Sequence, residues 1–583
     1  MRKANYDKMP FIAVPGREAA CVEGWPAIGA RLAAEVLALG RSAVVVVEAY
    51  PGAHDAELLG ALKAALKPSL CLESKRAFWP GEKIDALLQR DLGDDPVFGM
   101  IANRRLSDLM DPVQRQALAA EIEGHKGSCV LVYGVGASLL AAGDILVYAD
   151  LARWEIQSRF RQNLAANLGV ENHGLKASLK YKRAFYVDWQ VCDRHKKDVF
   201  PRADFVLDCN VAGQPKLALG EAVREGLRLA VTRPFRVVPF FDPGPWGGQW
   251  MKEVCDLPRD KENYAWCFDC VPEENSLVLG FGASRFELPS VDLVYFQPRA
   301  LLGEAVHGRF GDEFPIRFDF LDTMGGGNLS LQVHPLTEYI QKNFGMHYTQ
   351  DESYYMLDAG PKACVYLGVK EDCEPDAMMA ALQRAETGAE IFDAERYVEK
   401  WPAKKHDHFL IPAGTVHCSG SDGMVLEVSA TPFNFTFKLW DWARPGLDGK
   451  PRPIHLEHGK QVIQWERKTA WTKANLVNCI EPLGSGEGWR EERTGLHERE
   501  FIETRRHWFS QAVLHNTGGS VNVLNLIEGA EAIVESPQGR FEPFVVHYAE
   551  TFIIPAQVGD YSIRPYGSAV GTECATLKAS VRH

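Results

Sequence analysis

The chain has 583 residues, of which 46% are hydrophobic and 24% are charged, and its formal net charge is -13. This length exceeds the size at which a single hydrophobic core stops growing, so we expect several domains. The negative charge disfavours nucleic acid and anionic membrane surfaces as partners, and the sequence holds no apolar run of about eighteen residues that would predict a membrane span.

The N-terminal part alternates strand patterns with helical ones. No apolar segment follows its charged start, so we expect a cytoplasmic protein with reduced cysteines. Residues 42–47 form a β-branched run suited to a strand buried on both faces, and 54–67 carry leucines at helical spacing. Comparable strand and helix patterns recur at 128–133, 145–148 and 150–159. This order predicts a doubly wound α/β domain over residues 1–230.

The loop at 48–57, between the first strand and helix, lacks the G-x-x-x-x-G-K-[ST] pattern that cradles nucleotide phosphates. The strand, loop and helix order nevertheless loosely resembles P-loop kinases of the uridine kinase and phosphoribulokinase type, without a specific motif. The resemblance implies a degenerate domain that transfers no phosphate and serves packing, homo-oligomer formation or binding of a regulator. Charged and aromatic residues at 188–196 either face a ligand or form a solvated loop.

A change of structural class is expected near residues 225–240, where Pro and Gly accumulate. From there the chain consists mainly of short runs rich in Val, Phe, Tyr and Thr, which is typical of a sandwich or barrel. Helical patterns at 374–386 and 389–400 interrupt these runs as an insertion or lid. Cys267 and Cys270 form one C-x-x-C, which alone leaves structural thiols and a zinc or redox site open.

The stretch 328–335 places polar side chains where a buried strand should be apolar. Ser330, Gln332 and His334 alternate with apolar residues, so they share one face of the strand. His417 ends a later strand-like run that begins with a Pro and Gly turn, and Glu352 starts a third strand pattern. Two imidazoles, one amide and one carboxylate predict an open metal site, for which zinc is the best match and manganese or iron(II) remain alternatives.

These motifs resemble those of the type I mannose-6-phosphate isomerases, a cupin family. The similar segments lie at 246–248, 314–323, 329–335, 411–417, 426–427, 435–442 and 449–455. The resemblance implies that Gln332, His334, Glu352 and His417 bind one Zn²⁺ per chain. It also implies a multidomain α/β plus β protein, in which cupin jelly-roll β-sandwich domains follow the N-terminal domain.

The cupin part is predicted as two domains. Residues 231–489 form the metal-binding, isomerase-like domain with a helical insertion near 372–400. Residues 490–583 form a second cupin without metal, because 549–556 echoes 409–413 but lacks the following histidine.

The sequence departs from the family at two positions. Gln350 stands where the family usually has a lysine, and Lys438 where it usually has an arginine. Both family residues are cations, and a lysine cannot reproduce the bidentate arginine fork on a phosphate. The cations that could compensate are either surface residues or ligands of the phosphate; they are Lys342, His347, Arg444 and Arg452.

The expected reaction interconverts mannose 6-phosphate and fructose 6-phosphate through an enediolate, with a small-molecule sugar phosphate as ligand. Glu427 and Lys438 are the candidates for moving the proton and stabilising charge. Glu427 could instead orient a metal-binding histidine. Two alternatives stay open: an isomerase of a different sugar, and a regulatory protein that binds a sugar or metal without turnover.

Overall fold

The computed structural model describes residues 4–430, 435–445, 454–495 and 497–582. The strands of its N-terminal region are β1 (Ile12–Ala13), β2 (Cys21–Glu23), β3 (Ala43–Ala49), β4 (Leu70–Glu73), β5 (Cys129–Gly134), β6 (Ile145–Asp150), β7 (Phe205–Asp208) and β8 (Lys216–Leu219). The helices are α1 (Trp25–Ala38), α2 (Asp55–Leu66), α3 (Gly81–Leu92), α4 (Pro112–Gly124), α5 (Arg153–Arg161), α6 (Ala177–Arg183), α7 (Trp189–Val199) and α8 (Gly220–Ala230).

Seven of these strands form one mixed sheet in the order β2-β8-β7-β6-β3-β5-β4. The central strands β3, β4, β5, β6 and β7 pair in parallel, and β8 and β2 add an antiparallel edge. Val45, Val46 and Val47 of β3 are buried because both faces of a parallel sheet are covered by helices. The doubly wound α/β fold predicted for this region is confirmed.

The solvated loop, one of the two interpretations of residues 188–196, is wrong. These residues belong to α7, which continues α6 through a π-helical turn at Ala184–Asp188. The charged side chains are tolerated inside because they are paired: Lys196 Nζ lies 2.7 Å from a carboxylate oxygen of Asp150 and 2.5 Å from one of Asp292. The helix expected at 150–159 starts only at Arg153, since Asp150 ends β6.

The middle of the chain is built from strands β9 (Phe240–Asp242), β10 (Trp266–Cys270), β11 (Ser276–Phe281), β12 (Ser284–Pro289), β13 (Arg317–Asp322), β14 (Leu331–Val333), β15 (Glu352–Ala359), β16 (Cys364–Val369), β17 (Val398–Pro402), β18 (His408–Ile411), β19 (His417–Ser419), β20 (Gly423–Ser429) and β21 (Phe437–Trp440). Its helices are α9 (Trp250–Val254), α10 (Val291–Phe296), α11 (Pro298–Leu302), α12 (Glu304–Phe310), α13 (Thr337–Phe344), α14 (Pro375–Glu386), α15 (Ala394–Tyr397), α16 (Leu456–Gly459) and α17 (Thr469–Asn475).

Two antiparallel sheets of this region carry the candidate site. One has the order β18-β15-β20-β13-β10-β9 and the other β17-β16-β19-β14-β21. The helical insertion lies between β16 and β17, as predicted, but the helix expected at 389–400 is reduced to the short α15. The residues that follow pair with β16 as the edge strand β17, because backbone pairing overrides their helical spacing.

The C-terminal region adds a second pair of antiparallel sheets. Its strands are β22 (Glu481–Gly486), β23 (Trp489–Gly495), β24 (Ile502–Phe509), β25 (Val513–Asn516), β26 (Asn522–Glu528), β27 (Glu531–Glu535), β28 (Phe544–His547), β29 (Thr551–Ile554), β30 (Asp560–Pro565) and β31 (Cys574–Val581). They form sheets β22-β23-β24-β31-β26-β29 and β25-β30-β27-β28. The predicted β-sandwich class of the chain after the α/β region is therefore confirmed.

The N-terminal region and the middle region share a hydrophobic core. One buried cluster runs from Val45 on β3 to Val333 on β14, and β1 pairs in parallel with β11. The ring of Phe98 lies 5.3 Å from that of Phe344 and 5.2 Å from that of Phe437. The predicted domain boundaries stay a prediction; they divide the chain into 1–230, 231–489 and 490–583. The contacts described here make the first two of these parts interdependent.

Two further predictions concern the chemistry of the cysteines and the possibility of a membrane span. The 13 cysteines are free, and burial raises the pKa of both Cys267 and Cys270 on β10 well above the usual range, which disfavours metal or redox chemistry there. Within the described residues, every helix is too short or too polar to cross a bilayer.

Candidate metal centre

Three of the predicted ligands meet between the two sheets of the middle region. Strand β14 lies between β19 and β21, so Gln332 pairs with His417 on one side and Lys438 on the other. His334 follows the end of β14, on the same face as Gln332. Glu352 starts β15 in the opposite sheet. The sandwich therefore brings side chains from separate stretches of sequence to one interior point.

The distances define a compact group. Glu352 Oε1 lies 2.9 Å from His417 Nε2, and Glu352 Oε2 lies 3.3 Å from His334 Nε2. One ligand atom of each of these three residues lies within 4.8 Å of the others, and all three residues are buried. Gln332 Nε2 is 3.2 Å from His417 Nε2. The four predicted ligands are thus adjacent, and His334, Glu352 and His417 can hold a metal ion.

Both imidazoles are oriented from behind by backbone carbonyls. His334 Nδ1 lies 3.0 Å from the carbonyl oxygen of Phe435, and His417 Nδ1 lies 2.8 Å from that of Thr415. A carbonyl only accepts, so each Nδ1 carries the proton and each Nε2 presents a lone pair to the centre. This is the arrangement in which histidines bind metals.

The electrostatics favour an ionised carboxylate at the centre. Burial opposes ionisation of Glu352, but the two imidazoles beside it prevail and hold its pKa well below the usual range. Burial likewise opposes protonation of His334, and the Glu352 carboxylate prevails and raises the pKa of that imidazole. The centre thus combines a negative carboxylate with two basic nitrogens.

Unsatisfied polar atoms show that these residues fit a metal. Among the described residues, Nε2 of His334 and Oε1 of Glu352 are buried without a hydrogen-bond partner. Buried polar atoms rarely stay unpaired in native proteins unless a water or ion is bound. A cation at this point would satisfy both atoms. The amide of Gln332, turned so that its oxygen faces His417, would add a fourth ligand.

A cavity of about 310 Å³ lies beside the metal centre. Gln332, Gln350, Glu427 and Lys438 all line it. Gln350 donates a hydrogen bond of 2.9 Å from Nε2 to Glu352 Oε2, so it fixes the carboxylate that faces the metal. The structure therefore places both predicted catalytic residues, Glu427 and Lys438, and both departures from the family, Gln350 and Lys438, in the same cavity.

Glu427 sits on β20, beside Asp319 on β13 and Tyr354 on β15. Burial raises its pKa well above the usual range, and the carboxylates of Glu352 and Asp319 raise it further. Burial also raises the pKa of Asp319 well above its usual range. Both carboxyl groups are therefore protonated more readily than exposed ones. Glu427 can accept or release a proton inside the cavity, as a proton shuttle requires.

Of the four cations expected to compensate, the three that the structure describes lie outside the lining of this cavity. Lys342 is exposed on α13, and the His347 side chain is 81% exposed. The Arg444 guanidinium donates to the carbonyl of Asn328 and pairs with Asp441. Arg452, with the rest of 446–453, lies outside the described residues.

Several cavity residues were missed by sequence reasoning. Arg317 and Asp319 alternate on β13 with buried phenylalanines, a pattern that could have been recognised. Gln157 and Tyr181 also line the cavity, although they belong to the N-terminal region. Their position depends on how the two regions pack, which no local pattern reveals.

Comparisons with known proteins find two kinds of similarity. Residues 24–232 match a family described as "Domain of unknown function (DUF8485)". This match offers no support for the resemblance to P-loop kinases.

More than half of the chain is distantly related to mannose-6-phosphate isomerases. The chain is 26% identical over 234 residues to mannose-6-phosphate isomerase ManA of Bacillus subtilis (strain 168), covering 40% of this chain and 69% of that protein. A putative mannose-6-phosphate isomerase of the same organism, YvyI, is 22% identical over 342 residues, covering 57% of this chain and 96% of the relative.

Solved structures of such isomerases are also similar. The mannose 6-phosphate isomerase from Bacillus subtilis superimposes with a TM-score of 0.48 at 18% identity, covering 59% of this chain and 99% of that one. A zinc-bound mannose 6-phosphate isomerase gives a TM-score of 0.45 at 15% identity, covering 60% of this chain and 100% of the other.

Proposed function

We propose that this protein is a metal-dependent aldose–ketose isomerase that interconverts mannose 6-phosphate and fructose 6-phosphate. The observation that carries the proposal is the buried group of His334, Glu352 and His417 beside a cavity that also holds Glu427 and Lys438. The distant relationship to mannose-6-phosphate isomerases supports the reaction class.

We propose zinc as the metal, held by Gln332, His334, Glu352 and His417. Two imidazole nitrogens, a carboxylate oxygen and an amide oxygen match the ligands zinc accepts. Of these four residues, Gln332 also lines the cavity. When bound, the metal would supply Lewis acidity toward the carbonyl and hydroxyl oxygens of the sugar.

The protein's own residues would move the proton. The carboxyl group of Glu427 would transfer it between C1 and C2, since it lines the cavity and burial raises its pKa above that of an exposed glutamate. The ammonium of Lys438, on the strand next to Gln332, would stabilise the negative charge that develops on the enediolate oxygens. Gln350 would keep the Glu352 carboxylate directed at the metal through its 2.9 Å hydrogen bond.

A second candidate is binding or isomerisation of an uncharged sugar. It is favoured by the charges around the cavity, where the described lining holds the carboxyl groups of Asp242, Glu274, Asp319 and Glu427 but only two cations, Arg317 and Lys438. Arg317 is already paired with Glu273, at 2.6 Å. A phosphate would find few unengaged cations on such a wall.

Activity measurements separate these candidates. Zinc-loaded protein is incubated with mannose 6-phosphate, fructose 6-phosphate, mannose or fructose, with and without a chelator. We expect zinc-dependent interconversion of the phosphorylated pair. Turnover of only the uncharged pair would replace the substrate, and no turnover at full zinc occupancy would refute an isomerase.

Variants test the two catalytic roles. Lys438→Ala and Glu427→Gln should each lower kcat by about 10²- to 10⁴-fold with zinc content unchanged. Lys342→Ala is the matched control, because that lysine is exposed on α13. If Glu427→Gln lowers zinc content instead, Glu427 orients a ligand and the shuttle role is refuted.

We further propose a cytoplasmic location, because 13 free cysteines are typical of a reducing compartment. A homo-oligomer formed through the N-terminal region also remains a proposal. Light scattering of the full-length chain and of variants in that region would test it.

A further inference from the structure

Part of the wall of the cavity beside the metal centre comes from the N-terminal region. Gln157 on α5 and Tyr181 on α6 line the same cavity as Gln332 and Lys438. An amide and a phenol can each donate and accept hydrogen bonds. The N-terminal region thus places two side chains suited to sugar recognition at the candidate site.

A buried carboxyl group holds both side chains in place. Gln157 Nε2 donates to Glu274 Oε2, and the Tyr181 hydroxyl donates to Glu274 Oε1 at 3.1 Å. Glu274 is only 7% exposed and also lines the cavity. Its hydrogen bond to Gln157 uses one amide hydrogen, so the amide oxygen is left to accept from a ligand.

The helix that carries Gln157 is also fixed to the rim of the cavity. Arg161 makes a bidentate ion pair with Asp242, at 3.0 and 2.9 Å. The Trp154 ring stacks on Phe240 with centroids 5.7 Å apart. Phe240 and Asp242 both line the cavity. The wall is therefore rigidly attached to the sandwich, as precise recognition of a ligand requires.

A second cavity, of about 350 Å³, continues from the first into the N-terminal region. The two cavities share Gln157 and Tyr181 in their linings. The second is also lined by Phe160, Ser178 and Lys182. Gln157 and Tyr181 therefore lie where the two cavities adjoin.

We infer that the N-terminal region determines which sugar is accepted, with Gln157 and Tyr181 hydrogen bonding to oxygens of the hexose at the end remote from the metal. This inference rests on the proposed function for the sugar itself. Both possible ligands are carbon chains that bear several oxygen atoms. The end of the chain remote from the metal carries either a hydroxyl group or a phosphate. The two residues act as specificity determinants and take no part in proton transfer.

The experiment uses the full-length, zinc-loaded protein and two variants that keep side-chain size. Tyr181→Phe removes the hydroxyl but keeps the ring against Trp189, whose centroid is 5.4 Å away. Gln157→Leu removes the amide. The matched controls are Tyr566→Phe and Gln116→Leu, since both residues are exposed and outside the cavity.

Mannose 6-phosphate and mannose are the probes, and Kd is measured by calorimetry alongside KM, kcat, zinc content and Tm. Each cavity variant should raise Kd and KM by about 5- to 50-fold, the effect of losing one hydrogen bond to a ligand. The controls should change neither value, and kcat and zinc content should stay near those of the wild type. If the affinity for mannose 6-phosphate falls more than that for mannose, Gln157 and Tyr181 contact the phosphate. If both affinities fall equally, the two residues contact a hydroxyl group.

Unchanged Kd and KM for both sugars in both cavity variants would overturn the inference. So would a parallel fall of Tm, kcat and zinc content, because that outcome marks a purely structural role. If the wild type binds a sugar without turnover, the proposed function fails, while the Kd of the variants still decides this inference. If the wild type binds neither probe, both are refuted.

Discussion

Substitution of Gln350 by leucine should weaken metal binding without destabilising the fold. The side chain is buried and donates from Nε2 to Glu352 Oε2 at 2.9 Å. A hydrogen bond to a charged group contributes about 1.5–3 kcal/mol. Loss of that amount from the metal-bound state corresponds to roughly 10- to 150-fold weaker zinc binding.

The same substitution should leave the metal-free protein about as stable as before. Among the described residues, Oε1 of Gln350 is buried without a hydrogen-bond partner, so leucine removes an unsatisfied acceptor while it removes a donor. The two effects oppose each other, and leucine has a similar volume. The loss should therefore appear in zinc affinity and not in the free energy of unfolding of the apo form.

Chelator-competition titrations of the wild type and Gln350→Leu measure the zinc Kd, and denaturant unfolding of the apo forms measures stability. Gln341→Leu is the matched control, because that glutamine is exposed and donates only to the carbonyl of His347. A zinc Kd within twofold of the wild type would refute the role given to Gln350. A large loss of apo stability would refute the argument from the unsatisfied oxygen.

Three further substitutions test the site and its support. His417→Ala should abolish the rise in Tm that zinc produces in the wild type, as followed by scanning fluorimetry. Phe98→Ala should cost about 3–5 kcal/mol of unfolding free energy, whereas the 45% exposed Phe11 should tolerate the same change; equal losses in denaturant titrations would contradict the shared core. Burial raises the pKa of Glu274 to about 7, so its contribution to stability is present below its unfolded pKa of about 4.5 and is lost as pH rises through 7. Glu274→Gln should reduce this loss by up to about 3 kcal/mol between pH 5 and 8, and identical pH profiles would contradict it.

The positions of the candidate metal ligands could be predicted because their signal is local. Alternation along 328–335 puts Gln332 and His334 on one face, and that face meets the opposite sheet in any sandwich. The turn before His417 delivers its imidazole to the same interior. The buried β-branched run of β3 is equally local, since a strand covered on both faces must be apolar along its length.

The wrong predictions concern segments whose structure depends on contacts with residues far away in the sequence. The charges at 188–196 suggest a solvated loop, but Lys196 forms ion pairs with Asp150 and Asp292. Helical spacing at 389–400 was overridden by pairing of Val398–Pro402 with β16. In both cases the deciding contact joins residues that are far apart in the chain, and a periodicity contains no information about it.

The N-terminal region also supports the candidate metal centre from behind. The carbonyl of Phe435 orients His334, so any displacement of Phe435 misdirects a metal ligand. Its ring packs against Phe98, 6.1 Å away, and against Phe185 of the π-helical turn, 6.4 Å away. Both contacts come from the N-terminal region, which also supplies Gln157 and Tyr181 to the cavity wall. Removal of residues 1–230 would therefore expose these aromatic rings, loosen the carbonyl behind His334 and open the cavity at once. The sandwich of this sequence therefore depends on the N-terminal region both to hold His334 in position and to close the cavity beside it.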